Sequence, residues 1–159
     1  MTNPSSAQLL LELAKRQGAI VATAESCTGG LISGAITEIS GSSDIFDRGF
    51  ITYSNEAKKM MLGVPEELIQ QHGAVSEEVA LAMAQGALER STANLAVSVT
   101  GIAGPGGSDH KPEGRVCFGL AATGAEPTAE TIEFGPIGRE NVRNNTVEHA
   151  LKLLIEALS

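Results

Sequence analysis

A chain of 159 residues with 42% hydrophobic and 19% charged residues has the composition of a globular protein with a hydrophobic core, which excludes a disordered chain. Its formal net charge of −8 repels polyphosphates, so we expect no nucleic-acid partner. Aromatic residues make up only 3% of the chain and tryptophan is absent, which argues against base-stacking surfaces for single strands. We expect one domain that spans residues 1–159.

Two cysteines and three histidines bear on the redox setting and on metal binding. Cys27 and Cys117 form no CxxC motif, and no apolar run has the length of a membrane span or the pattern of a signal segment. We therefore expect a reduced, cytoplasmic protein with no membrane partner. His72, His110 and His149 are too scattered in the sequence to predict a metal site.

The first part of the chain predicts a helix, a strand and a second helix. Ser5 and Gln8 fit a capping box, and Gly18 is suited to end the helix that follows. Residues 19–24 are apolar and bounded on both sides, which predicts a buried strand. Apolar residues spaced by four then predict a helix that begins near Thr28.

The middle of the chain predicts a β-rich segment and three helices. Residues 48–54 favour a strand, and Asn55 is placed to cap a short helix that runs through Met61. A second short helix is expected to begin at Pro65, because proline is favoured in the first turn. Ser76 precedes two glutamates that suit the positive end of a longer helix. The apolar stripe of that helix consists of Val79, Met83 and Ala87.

The last part of the chain predicts three strands and a closing helix. Residues 94–101 predict a buried strand, and the glycine- and proline-rich segment 102–114 is too long for a hairpin turn. Residues 115–122 and 131–134 are expected to pair as neighbouring strands, before a helix that begins near Arg139. Its apolar stripe consists of Val147, Leu151, Leu154 and Leu158. This pattern indicates a three-layer α/β domain with a mixed sheet.

Three polar loops follow predicted strands: TAESCTGG at 23–30, TYSNEAKK at 52–59 and VTGIAGPGGSD at 99–109. Ligands of open α/β sheets bind beyond the carboxyl ends of the strands, so these loops are the candidates for a functional site. None of them matches a Walker A loop or a dinucleotide-binding fingerprint. Glycine richness alone also fits a flexible surface loop.

Ser26 is a candidate nucleophile because it lies between a strand end and a helix start, near unpaired backbone N–H groups that can hold an oxyanion. Gly29 and Gly30 would let a substrate approach the backbone closely. The G-x-S-x-G motif of α/β-hydrolases is absent, however. The alternative, that Ser26 or Thr28 caps the helix, is better supported by the local pattern.

Two neighbours of Ser26 offer further alternatives. Cys27 competes as a nucleophile because a helix N terminus lowers the pKa of a thiol, although a cysteine beside a buried strand is more often packed and inert. Glu25 is either an acid or base, or only a favourable charge near the start of the helix. The cap and charge roles are the commoner ones.

A nucleophilic serine needs a base, and Lys58 is the candidate beside the three histidines. The first turn of a helix and partial burial both disfavour its ammonium, which would lower the pKa of Lys58 toward neutrality. The neutral amine could then take the serine proton. The alternative is a solvated lysine on a helix. Tyr53, the only tyrosine, either hydrogen-bonds Ser26 or Lys58 or packs its ring as a strand residue.

Four segments in order, AESCTGG, FITYSNEAKKMMLGV, QHGAVSEEVA and SVTGIAGPGGSDHKPEGRV, resemble the CinA C-terminal domain family. Its standalone members are nicotinamide-nucleotide amidohydrolases, and the resemblance runs from about residue 7 to residue 158. It implies an α/β/α sandwich that hydrolyses nicotinamide mononucleotide to nicotinic acid mononucleotide and ammonia, with neither a metal nor an organic cofactor. The serine, lysine and tyrosine of the family fall on Ser26, Lys58 and Tyr53.

The resemblance implies an acyl-enzyme mechanism in which Lys58 is the base for Ser26. Backbone N–H groups near Thr28 and Gly29 would hold the oxyanion, and Tyr53 would relay or orient the returning proton. Backbone donors of residues 100–107 would wrap the ribose phosphate. The residues that this assigns to substrate binding, with Gly30, are Thr100, Gly101, Ala103 and Gly104.

Arg139 and Arg143 lie one helical turn apart near the start of the closing helix. They either bind the substrate phosphate or are exposed arginines paired with acids such as Glu140. Gly138 stands where the family often has an acidic residue, which leaves the geometry of the preceding loop open.

The alternative function is a non-catalytic nucleotide-binding or regulatory module, linked to competence or the DNA-damage response. Longer relatives carry an additional N-terminal domain that resembles molybdopterin-binding proteins. We expect this chain to lack it, because residue 1 lies almost at the first helix. A pure binding module would not need Ser26, Lys58 and Tyr53 together, which favours catalysis. We also expect a homo-oligomer whose partner is a small-molecule substrate.

Overall fold

The computed structural model describes residues 4–108 and 110–159. The helices are α1 (Ser6–Gln17), α2 (Leu31–Thr37), α3 (Asn55–Leu62), α4 (Glu66–His72), α5 (Glu77–Glu89) and α6 (Arg139–Ala157). The strands are β1 (Val21–Glu25), β2 (Phe46–Ile51), β3 (Leu95–Gly101), β4 (Arg115–Ala122) and β5 (Thr128–Glu133). None of the helices in these two ranges combines the length and apolarity needed to cross a bilayer.

The strands form one mixed sheet in the order β2-β1-β3-β4-β5. β1 is parallel to both β2 and β3, whereas β4 is antiparallel to β3 and to β5. Helices α1, α2 and α6 lie on one face of the sheet, and α3, α4 and α5 lie on the other. The predicted α/β/α sandwich with a mixed central sheet is therefore confirmed, as is the pairing of the last two strands.

Local capping signals set several helix boundaries. Ser5 Oγ accepts a hydrogen bond from the Gln8 amide at 3.2 Å, and Gly18 ends α1 with φ 64°. Ser76 Oγ accepts a backbone amide at 3.3 Å at the start of α5. The predicted bounds of α1 and the predicted starts of α5 and of α6, at Arg139, are confirmed.

Other boundaries differ from the prediction. Helix α2 begins at Leu31 rather than near Thr28, because the two glycines before it adopt positive φ angles that no α-helix contains. Ser54, and not Asn55, caps α3, since its hydroxyl accepts a backbone amide at 3.0 Å. Pro65 precedes α4 instead of opening it. Strands β2 and β5 both begin earlier than predicted.

The predicted apolar stripes of α5 and α6 face the two cores of the sandwich. Buried positions of these stripes are Val79, Met83, Ala87, Leu151, Leu154 and Leu158. The helices are thereby fixed against the sheet, which leaves the loops at the carboxyl ends of the parallel strands as the open edge of the fold.

Candidate active site

The carboxyl ends of β1, β2 and β3 lie at one edge of the sheet, because these strands are parallel. The three polar loops meet there around a cavity of about 240 Å³. It is lined by Ser26, Cys27, Tyr53, Asn55, Lys58, Ala74, Val75, Thr100, Gly101, Ala103 and Arg139. Asp109, the last residue of the third loop, lies outside the described residues. Ala74 and Val75 were missed as site residues, although they lie in the QHGAVSEEVA segment, because small apolar side chains suggest no chemistry.

A larger polar cleft of about 560 Å³ shares Val75 with this cavity. Its lining includes three carboxylates, those of Glu77, Glu78 and Glu133. Of its basic residues, Lys111 donates to backbone carbonyls and Arg115 pairs with Glu133. The negative charge of this cleft disfavours an anionic substrate, so the smaller cavity is the candidate active site.

Ser26 and Lys58 are in direct contact in this cavity. Lys58 Nζ lies 3.0 Å from Ser26 Oγ, although 32 positions separate the two residues in sequence. The contact forms because the last residues of β1 and β2, Glu25 and Ile51, lie opposite each other, as the hydrogen bond of 2.8 Å from the Thr52 amide to the Glu25 carbonyl shows. Lys58 is only 1% exposed, so the alternative of a solvated lysine is wrong.

Two backbone carbonyls hold the Lys58 amine beside the serine. Nζ donates to the Thr52 oxygen at 2.9 Å and to the Tyr53 oxygen at 3.2 Å. An ammonium fills all three contacts as a donor, whereas a neutral amine keeps two N–H bonds on the carbonyls and turns its lone pair to the Ser26 hydroxyl. Burial lowers the pKa of Lys58 from 10.5 to about 8. The amine can therefore act as a general base near neutral pH.

Glu25 is a fully buried carboxylate that organises the turn after β1. It accepts hydrogen bonds from the Thr28 hydroxyl at 2.6 Å, the amides of Gly30, Ile32 and Ser33 at 3.2, 2.9 and 2.9 Å, and the Ser33 hydroxyl at 2.7 Å. This carboxylate, and neither Ser26 nor Thr28, caps α2, so the cap alternative for those two residues is wrong. Of the two roles considered for Glu25, these contacts fit the one at the start of the helix.

The backbone amides of the turn fall into two groups. The Gly29 amide donates to the Ser26 carbonyl at 3.1 Å, and the Gly30 amide is used by the helix cap. The amides of Cys27 and Thr28 donate to no backbone or side-chain oxygen among the residues that the structure describes. The uncommitted donors beside Ser26 are therefore those of Cys27, which lines the cavity, and of Thr28, which is fully buried, whereas the Gly29 amide closes the turn.

Tyr53 contributes its backbone, and not its hydroxyl, to the contacts of Lys58. The hydroxyl lies 3.2 Å from Arg139 Nη2, which donates to it, and the residue is 62% exposed. The phenol thus contacts neither Ser26 nor Lys58, and the residue follows β2 instead of packing within it. Tyr53 and Arg139 together form one wall of the cavity.

Arg139 and Arg143 differ in what they touch. Arg139 lines the cavity, and its Nη1 donates to the Gly104 carbonyl at 2.8 Å. Arg143 instead donates to the loop that carries the nucleophile, from Nε to the Cys27 oxygen at 3.1 Å and from Nη2 to the Thr28 oxygen at 3.2 Å. The two arginines, equivalent in the sequence, therefore have separate roles.

Neither guanidinium group forms an ion pair in the described part of the chain. No carboxylate of the described ranges lies within 4.0 Å of either one, so the alternative pairing with Glu140 is not seen. The carboxylates of Glu25 and Glu113 lie on the same loops but are held by other donors. An arginine without an ion pair favours an anionic ligand.

The third loop is fixed by contacts within the protein. The Thr100 hydroxyl donates to the Ala74 carbonyl at 2.9 Å, which holds another wall of the cavity. A Cβ atom on Gly101 would lie 2.7 Å from Val116 Cγ2, so the close approach to β4 requires glycine. Ala103 is buried in the cavity wall.

Glu113 occupies the Gly106 amide, one of the backbone donors that were expected to bind the phosphate. Its carboxylate accepts the Gly106 amide at 2.6 Å and the Gly138 amide at 3.2 Å. A Cβ atom on Gly104 would lie 2.6 Å from the carboxyl carbon of Glu113, which explains the glycine there. The expected wrapping of a phosphate is blocked at Gly106 by this internal carboxylate. Sequence reasoning missed Glu113, although the unusual Gly138 is its partner.

Cys27 and the histidines do not compete with Ser26 and Lys58. Burial raises the pKa of Cys27 to about 11, so its thiol stays protonated at neutral pH. None of the three histidines lines the cavity, and the ring of His149 packs against Phe118 with centroids 4.5 Å apart. In the part of the chain that the structure describes, no three His, Cys, Asp or Glu residues are grouped to hold a metal ion. That the reaction needs no metal stays a prediction.

Comparison with known proteins decides the family. The profile of the CinA C-terminal domain matches residues 3–158. The chain belongs to the CinA C-terminal domain family. Among solved structures of CinA type, the competence/damage inducible protein CihA from Agrobacterium tumefaciens has a TM-score of 0.87 at 51% identity and covers 99% of both chains. The competence or damage-inducible protein from Enterobacter asburiae has a TM-score of 0.91 at 32% identity, over 99% of this chain and 100% of that one.

Relatives of the family fall into a short and a long group. The nicotinamide-nucleotide amidohydrolase PncC of Escherichia coli is 52% identical over 88% of this chain and 85% of its own length. A CinA-like protein of Syntrophobacter fumaroxidans is 50% identical over 93% of this chain but only 35% of its own length. The chain thus spans about a third of the longer relatives. The family that the four motifs indicated is confirmed.

Proposed function

We propose that this chain is a nicotinamide-nucleotide amidohydrolase, which converts nicotinamide mononucleotide and water to nicotinic acid mononucleotide and ammonia. The observation that carries the proposal is the 3.0 Å contact between Lys58 Nζ and Ser26 Oγ in a cavity beside free backbone amides. Support for the substrate comes from the relative of Escherichia coli that bears this name, 52% identical over most of both chains.

In the first half-reaction, the neutral amine of Lys58 takes the proton of Ser26 as its oxygen attacks the carboxamide carbon. The amides of Cys27 and Thr28 donate to the oxyanion of the tetrahedral intermediate. The C–N bond then breaks, and the leaving nitrogen takes the proton from the Lys58 ammonium. The products of this half are ammonia and a nicotinoyl ester on Ser26.

In the second half-reaction, Lys58 takes a proton from a water molecule that attacks the ester carbonyl. The ester bond breaks, Ser26 Oγ regains a proton from Lys58, and nicotinic acid mononucleotide is released. The carbonyls of Thr52 and Tyr53 keep the amine in place in both halves. The phenol of Tyr53 contacts neither group, so its role in this proposal is to support Arg139.

Arg139 is the proposed partner of the substrate phosphate. Its guanidinium lines the cavity and forms no ion pair with a carboxylate among the described residues. A charge-assisted hydrogen bond to phosphate is stronger than its present hydrogen bonds to the neutral oxygens of Gly104 and Tyr53. Thr100, Gly101 and Ala103 shape the cavity by packing, with no charge of their own. This assignment makes the mononucleotide a better substrate than free nicotinamide.

The setting of the enzyme also belongs to the proposal. We place it in the cytoplasm, where its two buried, unpaired cysteines stay reduced, and treat residues 1–159 as one domain. A homo-oligomer is expected, because several large apolar side chains are exposed. These include Leu31, Ile51, Met60 and Met61.

The test is ammonia release from nicotinamide mononucleotide by the purified native protein and by Ser26→Ala, Lys58→Met and Lys59→Ala. Loss of either dyad member is expected to lower kcat by roughly a thousand-fold or more. Lys59→Ala is the matched control, because Lys59 is the adjacent lysine and pairs with Glu56 and Glu66 outside the cavity. It should keep native activity.

Two outcomes would count against the proposal. A native protein without turnover, but with retained binding of nicotinic acid mononucleotide, would favour the non-catalytic binding module. An active Ser26→Ala enzyme together with an inactive Cys27→Ala enzyme would move the nucleophile to the neighbouring thiol.

A further inference from the structure

Arg143 donates two hydrogen bonds to carbonyl oxygens of the turn that carries Ser26, at 3.1 Å to Cys27 and 3.2 Å to Thr28. We infer that Arg143 is a positioning residue, which aims and polarises the Thr28 amide as an oxyanion donor and does not bind the substrate phosphate. This inference rests on the proposed amidohydrolase function.

The first step is the planarity of the peptide bond. The Cys27 carbonyl and the Thr28 amide belong to one trans peptide unit and point in opposite directions. Arg143 Nε fixes the carbonyl end of that unit, so the N–H end is fixed as well and points away from α6. The Thr28 amide has no acceptor among the described residues although Thr28 is fully buried, and a buried donor without a partner is the kind of group that an oxyanion would satisfy.

The second step concerns the next peptide unit. Arg143 Nη2 holds the Thr28 carbonyl, whose peptide partner, the Gly29 amide, donates to the Ser26 carbonyl at 3.1 Å. The Ser26 carbonyl in turn shares its peptide unit with the Cys27 amide, the other free donor. One guanidinium therefore secures the orientation of both amides beside the nucleophile, through one direct and one relayed contact.

The third step is electrostatic. The guanidinium charge of Arg143 is uncompensated by any carboxylate of the described ranges within 4.0 Å. A cation on the carbonyl oxygen draws electron density from the amide, so the N–H becomes a stronger donor to a developing negative charge. The benefit is larger in the tetrahedral intermediate than for the neutral carboxamide, and that difference raises kcat.

The surroundings of Arg143 argue against a phosphate contact. Arg143 does not line the cavity, whereas Arg139 does. Nε and Nη2 of Arg143 already donate to the turn, and a phosphate that drew them away would release the loop that carries the nucleophile. Arg139 is thus placed to bind the substrate, and Arg143 to hold the turn.

The experiment compares native protein with Arg143→Ala, Arg143→Lys and Arg90→Ala, by kcat and KM for nicotinamide mononucleotide and by Kd for nicotinic acid mononucleotide. Arg143→Ala is expected to lower kcat by roughly 10- to 100-fold, a part of the effect of deleting one oxyanion donor, with KM and Kd within about two-fold of native. Arg143→Lys, which keeps the charge and one donor direction, should retain intermediate activity. Arg90 donates to the Gly86 carbonyl away from the cavity, so Arg90→Ala should match native.

Two further measurements separate positioning from folding and from the choice of substrate. Guanidinium ion added at millimolar concentration should restore part of the kcat of Arg143→Ala, which a merely unstable variant would not show. A fluorophosphonate probe labels an activated serine and places its phosphoryl oxygen in the same oxyanion site. Its rate of reaction with Ser26 should fall in Arg143→Ala as kcat does.

The possible results are distinct. A rise in KM and Kd with an unchanged kcat would assign Arg143 to the phosphate and overturn the inference, as would native labelling rates in both Arg143 variants. If Arg143→Ala does not fold, Arg143→Lys decides by the same criteria. A native protein that reacts with the probe but leaves nicotinamide mononucleotide intact would refute the proposed substrate, while the labelling rates still decide the role of Arg143. A native protein inert in both assays would overturn both proposals.

Discussion

The Lys58 ammonium nitrogen donates to the carbonyl oxygen of Thr52 at 2.9 Å while it faces the hydroxyl of Ser26 at 3.0 Å. Burial opposes its charge and lowers its pKa to about 8, although these oxygens favour the charged form. The balance leaves an amine that is mostly protonated at pH 7 and mostly neutral at pH 9. Both the activity and the free energy of unfolding should therefore change with pH as Lys58 loses its proton.

Activity is expected to rise with pH through a transition near 8. The neutral form of Lys58 is the base, so kcat/KM should increase about tenfold per pH unit below the transition and level off above it. The measurement is kcat/KM for nicotinamide mononucleotide between pH 6 and pH 10. A profile that is flat over this range, or that falls as the pH rises, would contradict Lys58 as the general base.

Removal of the buried amine is expected to stabilise the fold. Below pH 8 Lys58 is protonated in both states, and the native state carries the full cost of a buried ammonium. Lys58→Met removes that cost but leaves two carbonyls unpaired, so we expect a net gain of about 1 kcal/mol at pH 7. As the pH rises from 8 to 10.5, the native protein loses its proton before the unfolded chain does, and its stability increases. The difference in the free energy of unfolding between Lys58→Met and the native protein should therefore shrink from pH 8 to pH 10.5. Urea unfolding at several pH values is the measurement.

Loss of the Glu25 carboxylate should unfold the turn that carries the nucleophile. Glu25→Gln replaces an acceptor by an amide group that faces backbone donors, so we expect the free energy of unfolding to fall by about 2–4 kcal/mol. Activity should fall with it. Glu38→Gln, at the exposed end of α2, is the control and should change neither quantity. A Glu25→Gln protein as stable as the native protein would show that the Glu25 carboxylate does not stabilise the turn.

Substitution by alanine should have opposite effects on stability at two glycines, one in the turn before α2 and one within α2. Gly30 has φ 106°, and a Cβ atom there would lie 3.1 Å from Ile51 Cδ1, so Gly30→Ala should destabilise by about 1–3 kcal/mol. Gly34 lies within α2 with open space around its Cα atom, so Gly34→Ala should be neutral or stabilise by up to about 1 kcal/mol. Thermal unfolding of both variants checks the pair, and equal effects would show that the backbone conformation is not the cause.

The phosphate assignment of Arg139 predicts an affinity change that depends on the ligand. Arg139→Ala should weaken the binding of nicotinic acid mononucleotide by roughly tenfold or more, because a charge-assisted contact is lost. The nucleoside without phosphate should bind the variant and the native protein alike. Isothermal titration with both ligands is the measurement. An equal loss of affinity for the nucleotide and the nucleoside would indicate that Arg139 contacts a part of the substrate other than the phosphate.

Local signals were sufficient for much of the fold. Ser5, Gly18 and Ser76 act on backbone groups three or four residues away, so their sequence neighbourhood determines the helix bounds that they set. The dyad was predicted through the family motifs and not through spacing, since the pairing of β1 with β2 brings Ser26 and Lys58 together.

The contacts that sequence reasoning missed are long-range. Arg143 meets the turn across 116 residues, and Glu113 meets Gly138 across 25. The local sequence predicts neither contact, because the residues around an arginine near a helix start do not distinguish one that binds a ligand from one that binds a backbone carbonyl. The capping role of Glu25 was also open, since it depends on a chain reversal that the two following glycines create.

The hydrogen bond from the Thr52 amide to the Glu25 carbonyl, at 2.8 Å, ties the distance between nucleophile and base to the pairing of two strands. Lys58 and the carbonyls that hold it come from one short segment after β2, whereas Ser26 directly follows β1. A slip of one residue between these strands would shift the serine by about 3.3 Å, more than the length of the proton transfer. The spacing of nucleophile and base is thus as rigid as the strand register, and loop motion above the cavity can change access without changing that distance.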